Sequence, residues 1–227
     1  SARLFAANGY HATGIVEQPW DDYTAADHDV WRQLYERQRQ LLVGRASDEF
    51  LQAQGMMGMS PDRIPRFDEL NRVLEAATGW TIVGVEGLLP ELDFFEHLAN
   101  RRFPVSWWIR RPDQLDYIEE PDLFHDLFGH VPLLMIPAFA DYMQAYGKGG
   151  VKAHGLGAEA LDNLTRLYWY TGEFGLIRQH DGLRRLSSLD RGCGGRERRR
   201  DRGDLARATR DRRGRTTQAV RGQLRGV

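Results

Sequence analysis

Apolar positions recur at helical spacing along most of the chain. Val30, Trp31, Leu34, Tyr35, Leu41 and Leu42 mark a first helix. Thr24-Ala25-Ala26-Asp27 ahead of it resembles a capping box, with Asp in the place of the usual Glu, and Gly44 follows as a stop. Phe50, Leu51 and the Met56-Met57 pair predict a short second helix. Ser60-Pro61 reads as the start of a third, whose apolar period runs through Phe67, Leu70, Val73, Leu74 and Ala77 to Gly79. The β-branched run Thr81-Ile82-Val83-Gly84-Val85 predicts a strand. Asp93 to Asn100 reads as helix and Val105 to Arg110 as extended chain. Helices are expected over about 121–130, 134–147 and 157–178. There is no internal repeat. The predicted class is mostly α with a small β element.

Composition narrows this picture. A chain of 227 residues allows one large domain or two small ones, and 41% hydrophobic with 11% aromatic residues is enough for a sizeable core. No apolar run reaches the roughly 18 residues of a membrane-spanning helix. The start, Ser1-Ala2-Arg3-Leu4-Phe5, carries no long apolar stretch of a secretory signal, so a cytoplasmic location is expected. The single cysteine, Cys193, excludes an internal disulfide framework and fits a reducing compartment. Without a Cys-x-x-Cys pair, zinc-ribbon and iron–sulfur sites are excluded too.

The net charge of −1 conceals a split. Residues 181–227 hold 15 Arg, no Lys and 6 acids, a net of +9, which leaves −10 on residues 1–180. All the Phe, Trp and Tyr residues precede residue 181. An aromatic-free, Arg/Gly-rich segment buries too little apolar area to offset its ordering entropy. The reading therefore places a folded domain at 1–184 and a tail, expected to be disordered, at 185–227.

Two histidines stand together in Pro121-Asp122-Leu123-Phe124-His125-Asp126-Leu127-Phe128-Gly129-His130-Val131-Pro132. On an uninterrupted α-helix an i, i+5 pair points about 140° apart, at roughly 100° per residue. The pair converges on one metal only if the helix ends between them, and Gly129 and Pro132 supply a reason for it to end. Otherwise one is a core histidine and the other a helix-end histidine. A third candidate is Glu173, on an apolar stripe with Trp169 and Leu176 at i−4 and i+3. A buried carboxylate needs a partner. That partner is either an arginine, Arg166 or Arg178, or a metal. His125, His130 and Glu173 together would form a two-His, one-carboxylate triad suited to non-haem Fe(II).

Longer motifs surround these residues. Asp93-Phe94-Phe95-Glu96-His97-Leu98-Ala99-Asn100-Arg101-Arg102-Phe103-Pro104, the run from Gln114 to Pro132, and Phe139-Ala140-Asp141-Tyr142-Met143-Gln144-Ala145-Tyr146-Gly147 resemble the pterin-dependent aromatic amino acid hydroxylases. The likeness extends from about Glu17 to about Arg184 and is greatest to single-domain bacterial members that act on phenylalanine. It implies a mostly helical catalytic fold around an iron pocket. It implies that His125, His130 and Glu173 ligate Fe(II), that Arg110 holds the substrate carboxylate, and that Trp169 lines the side-chain pocket. Phe94 matches the residue that stacks on the tetrahydropterin, with the Gly87-Leu88-Leu89 loop ahead of it. Asp126 matches an acidic position near that cofactor. The implied activity is hydroxylation of L-phenylalanine to L-tyrosine with a tetrahydropterin and O2, in phenylalanine catabolism, by a monomer with no membrane or nucleic-acid partner.

Without the resemblance, Phe94 reads as core and Arg110 as a surface partner of Asp113 or Glu119. Two departures stand out. Gly172 lies where the family usually has valine, and a gap is expected there. After Arg184 the likeness stops: Ser187 and Ser188 come too early for the family's pocket serines, and the Arg-rich tail is foreign to it. A shifted reading frame and a genuine extension both account for this. Tryptophan as the substrate, an inactive relative, and RNA binding through the tail are the competing readings.

Overall fold

Thr24 caps the first helix, α1 (Ala25–Leu42), as its sequence predicts. Its hydroxyl accepts the Asp27 N–H at 3.3 Å, and the Asp27 carboxylate accepts the Thr24 N–H at 2.8 Å. The structure, a computed structural model, describes residues 14–180 and 182–186, all within a first compact unit, Ser1–Asp190. The Arg-rich segment from 187 onward, Cys193 included, lies outside the described residues. α1 buries Val30, Trp31, Leu34 and Leu42, and the Trp31 indole donates to the Ser60 carbonyl at 2.9 Å. The second helix, α2 (Asp48–Met56), is capped by the Ser47 hydroxyl, which accepts the Phe50 N–H.

α3 (Phe67–Thr78) begins at Phe67, not at Pro61. Pro65 is the reason. A proline ring disfavours the helical region for the residue before it, here Ile64, and has no N–H to continue a helix. Residues 60–66 turn instead, held by the Ile64 N–H on His28 Nδ1 (3.1 Å) and the Phe67 N–H on Gln18 Oε1 (2.9 Å). Gly79, at φ 72°, closes α3 in the left-handed conformation.

β1 (Thr81–Val85) pairs in parallel with β2 (Arg102–Ser106), Thr81 opposite Arg102 and Val85 opposite Ser106. Parallel neighbours need a crossover, and α4 (Glu91–Ala99) supplies it. β2 thus starts three residues before the extended stretch read from sequence. Residues 107–110 continue beyond it, with the Trp107 N–H on the Val85 carbonyl (3.2 Å) and the Trp108 carbonyl accepting from Leu123 N (2.8 Å).

α5 (Pro137–His154) packs on α4 at close range. A β-carbon at Gly147 would stand 2.3 Å from Ala99 N, and one at Gly150 would stand 2.0 Å from the Phe95 ring. α6 (Ala158–Tyr168) follows. The helix read over 157–178 ends early. Gly172 and Gly175 withdraw helix propensity, and the chain turns into an antiparallel hairpin of β3 (Leu176–Gln179) and β4 (Gly182–Arg185). Arg185 exchanges backbone bonds of 2.8 Å with Arg45 O and Ser47 N, so the hairpin is tied to the α1–α2 junction. The described residues are mostly helical with two short two-stranded sheets, as the apolar pattern predicts. No helix among them is long and apolar enough to cross a membrane.

Candidate metal centre

His125 and His130 begin and end a π-helical turn, His125–His130. This corrects the expectation that the helix must end between them. With i→i+5 hydrogen bonding the wider turn returns residue i+5 over residue i. The two rings therefore meet within one continuous turn, Nε2 to Nε2 at 3.2 Å. Pro132, which has no N–H, sits in the 3-10 turn that follows, Val131–Met135. Glu173 ends a second π-helical turn, Trp169–Glu173, and its Oε1 lies 3.3 Å from His130 Nε2. The three ligating atoms all fall within 4.8 Å of one another. Neighbouring ligands of an octahedral cation, each about 2.1 Å from the metal, stand about 3 Å apart. The spacing fits one small cation held on one face by two imidazoles and a carboxylate. Neither arginine considered as a partner for Glu173 is needed, because His130 takes that place.

Burial, then the charge of His130, lowers the pKa of His125 to about 4, so its imidazole is neutral and able to donate a lone pair. For His130 and Glu173 burial opposes the charged forms, but each stabilises the other. His130 is raised and Glu173 lowered. A metal bound here would replace the proton that this pair shares.

Asp122 is a residue that the sequence reading passed over. It caps the turn that bears the histidines, its Oδ1 accepting the His125 N–H at 3.0 Å. The same carboxylate, fully buried, takes Arg110 Nε and Nη2 at 2.8 Å each and the Arg110 N–H at 3.0 Å. Arg110 is therefore neither on the surface nor paired with Asp113 or Glu119. Asp113 pairs with Arg111. An Asp three residues before a candidate ligand histidine was the available signal.

Asp126 is tied to the end of β2, its Oδ2 accepting the Ser106 N–H at 2.9 Å. Burial pushes its carboxyl up to about 7 against the opposing pull of that N–H and of His130. Phe94 meets the Tyr168 ring edge-on at 6.2 Å, and Tyr168 in turn lies 6.1 Å from the His130 ring and stacks on Tyr146 at 5.5 Å. Tyr168 is thus a further site residue that its apolar neighbourhood in the sequence concealed. It also corrects the gap expected at Gly172, where a β-carbon would stand 2.8 Å from Tyr168 Cε2. The tyrosine ring fills that space. In the Gly87-Leu88-Leu89 loop, Leu88 is 78% exposed, and Leu89 lies against Gly14. The side chain of Trp169 lies outside the described residues.

Residues 6–189 match the family described as biopterin-dependent aromatic amino acid hydroxylase. A phenylalanine-4-hydroxylase of Ralstonia nicotianae is 68% identical over 169 residues, 74% of this chain and 53% of that protein. The crystal structure of Chromobacterium violaceum phenylalanine hydroxylase with bound iron(III) and 7,8-dihydrobiopterin aligns with a TM-score of 0.77 at 56% identity, covering 82% of this chain and 68% of that one. The same enzyme with iron and phenylalanine bound aligns at a TM-score of 0.75 and 54% identity, covering 82% of this chain and 67% of that one. The chain spans about half the length of the curated relatives it matches. With two histidines and a glutamate gathered on paired π-turns and a family match over residues 6–189, the chain belongs to the biopterin-dependent aromatic amino acid hydroxylases.

Proposed function

We propose that this chain carries the iron site and pterin-binding wall of a monooxygenase that converts L-phenylalanine to L-tyrosine. The observation that carries the reading is the convergence of His125, His130 and Glu173 within 4.8 Å. In this reading these three hold Fe(II), and iron with a tetrahydropterin supplies the activation of O2. The chain's own residues bind and aim. Arg110 gives its Nε–Nη2 edge to Asp122, so an amino-acid carboxylate would meet the Nη1–Nη2 end of the guanidinium. Asp122 then links that clamp to the turn bearing His125, which fixes the ring of the substrate relative to the metal. Phe94 supplies a flat apolar face for the pterin, backed by Phe95 and Tyr168. Asp126, buried beside His130, would bond the cofactor or tune the metal in this reading. Trp169 and the Gly87–Leu89 loop complete the substrate and cofactor walls. The protein is proposed to work as a cytoplasmic monomer.

The test is Fe(II) loading of the full chain followed by incubation with phenylalanine, tetrahydrobiopterin and O2. Pterin-dependent tyrosine is the expected product. Stoichiometric iron without tyrosine overturns the activity. Hydroxylation of tryptophan in preference to phenylalanine overturns the choice of substrate.

A further inference from the structure

Glu173 is delivered to the cluster by the π-turn Trp169–Glu173, and a π-turn is an unstable local structure that needs outside support. Leu167, in the last turn of α6, lies just ahead of this π-turn. Widening the turn moves backbone N–H groups away from the carbonyls they would meet in an α-helix. The Leu167 carbonyl receives a side-chain donor, the Thr171 hydroxyl, at 2.7 Å. That hydroxyl has one hydrogen, and the bond to Leu167 uses it. A second oxygen, Tyr142 Oη on α5, lies 2.7 Å from Thr171 Oγ1. Since the threonine's hydrogen is already given, Tyr142 donates and Thr171 accepts. The result is a directed chain from Tyr142 O–H through Thr171 O–H to the Leu167 carbonyl, and its middle member, Thr171, stands two residues before Glu173.

We propose that Tyr142 is a positioning residue for the carboxylate ligand. Acting through Thr171, it holds the π-turn at the register that turns Glu173 toward His130. The inference rests on the reading of His125, His130 and Glu173 as a metal site. α5 is a suitable anchor because Gly147 and Gly150 seat it tightly on α4, and its Tyr146 also reaches the Leu164 carbonyl of α6 at 3.3 Å. The Tyr142 ring has its own packing, 5.9 Å from Phe139 and 6.3 Å from Tyr146. Removing the hydroxyl alone therefore leaves that packing in place.

The experiment titrates the metal-free full chain with Co(II), following the visible absorption bands, alongside thermal melts. Tyr142→Phe should weaken Co(II) binding about tenfold, the scale of losing an outer-shell partner of a ligand, and should alter the Co(II) bands, with little change in melting temperature. Thr171→Ala should lose at least as much. Thr171→Ser, which keeps the hydroxyl, should restore wild-type affinity. The double variant Tyr142→Phe/Thr171→Ala should bind no more weakly than Thr171→Ala alone, because the two act on one chain of bonds. Wild-type affinity and spectrum in Tyr142→Phe overturn the proposal, as do losses that simply add in the double variant. A lowered melting temperature with an unchanged Co(II) spectrum overturns it too, since it marks a packing role only. A wild-type chain that binds no Co(II) overturns the metal reading itself, and this inference with it.

Discussion

His125 Nε2 and His130 Nε2 lie 3.2 Å apart although five residues separate them, because the turn that joins them is π-helical. An α-helical turn would point the two rings apart. With Glu173 Oε1 3.3 Å from His130, the three atoms form a compact donor set. In the proposed site, replacing any one of them would remove a ligand and not merely its support. His125→Ala, His130→Ala and Glu173→Ala should each lower Co(II) affinity by more than about a hundredfold, beyond the loss typical of an outer-shell change. Equilibrium titration of the full chain measures this. Stoichiometric metal retained by His125→Ala/His130→Ala would show that the ion binds elsewhere.

Arg110 serves two partners in the proposed site, a buried carboxylate of the protein and that of the substrate. Arg110→Ala leaves Asp122 buried without its guanidinium, a loss of roughly 3–5 kcal/mol. For a chain of this size that is a fall of about 10 °C in melting temperature. Arg110→Lys keeps the charge but has no fork to serve both partners, so KM for phenylalanine should rise about tenfold or more. An unchanged KM in an active preparation of Arg110→Lys would remove Arg110 from the substrate clamp.

Gly147 tests the seating of α5 on α4. A β-carbon there would stand 2.3 Å from Ala99 N, a backbone atom that cannot swing aside. Alanine gains about 1 kcal/mol of helix propensity over glycine, but overpacking of this kind costs about 1–3 kcal/mol. Gly147→Ala should therefore lower the melting temperature by a few degrees. Because α4 carries Phe94, pterin affinity should fall with it. A melting temperature at or above that of the wild type would show that the two helices part at no cost.

The far end of the domain is thinly packed. α6 has half-buried side chains but no fully buried one, and Leu156, Leu167, Tyr170 and Leu176 are exposed by 70%, 43%, 70% and 43%. At roughly 25 cal/mol per Å2, a few hundred Å2 of wet apolar surface forfeits several kcal/mol, a large part of the 5–15 kcal/mol that holds a typical domain. The chain should bind a hydrophobic dye and melt at a low temperature. Replacing residues 187–227 with the corresponding segment of the Ralstonia relative should raise the melting temperature and the yield of tyrosine. No difference between the two versions would show that this face needs no cover.

Local chemistry made much of this protein legible in the sequence. The Thr24 capping box, the β-branched run Thr81–Val85 and the apolar periods of α1 to α3 each depend on neighbours a few residues apart, so they survive without tertiary information, whereas α5, read over 134–147, runs from Pro137 to His154. The ligand types were legible too, since two imidazoles and a carboxylate in apolar surroundings require either charge partners or a metal. Even the late start of α3 was written in Pro65. The rest was decided by contacts between distant segments. The π-turns depend on support such as the Tyr142–Thr171 bond across 29 residues, which no local period reports. Asp122 acquires Arg110 only when the chain leaving β2 runs beside the histidine turn. The β3–β4 hairpin, whose first three residues were read as the end of a helix over 157–178, is held by backbone bonds to Arg45 and Ser47, about 140 residues earlier. Local propensity there was weak on both counts, and hydrogen-bond partners supplied by the fold settled which structure formed.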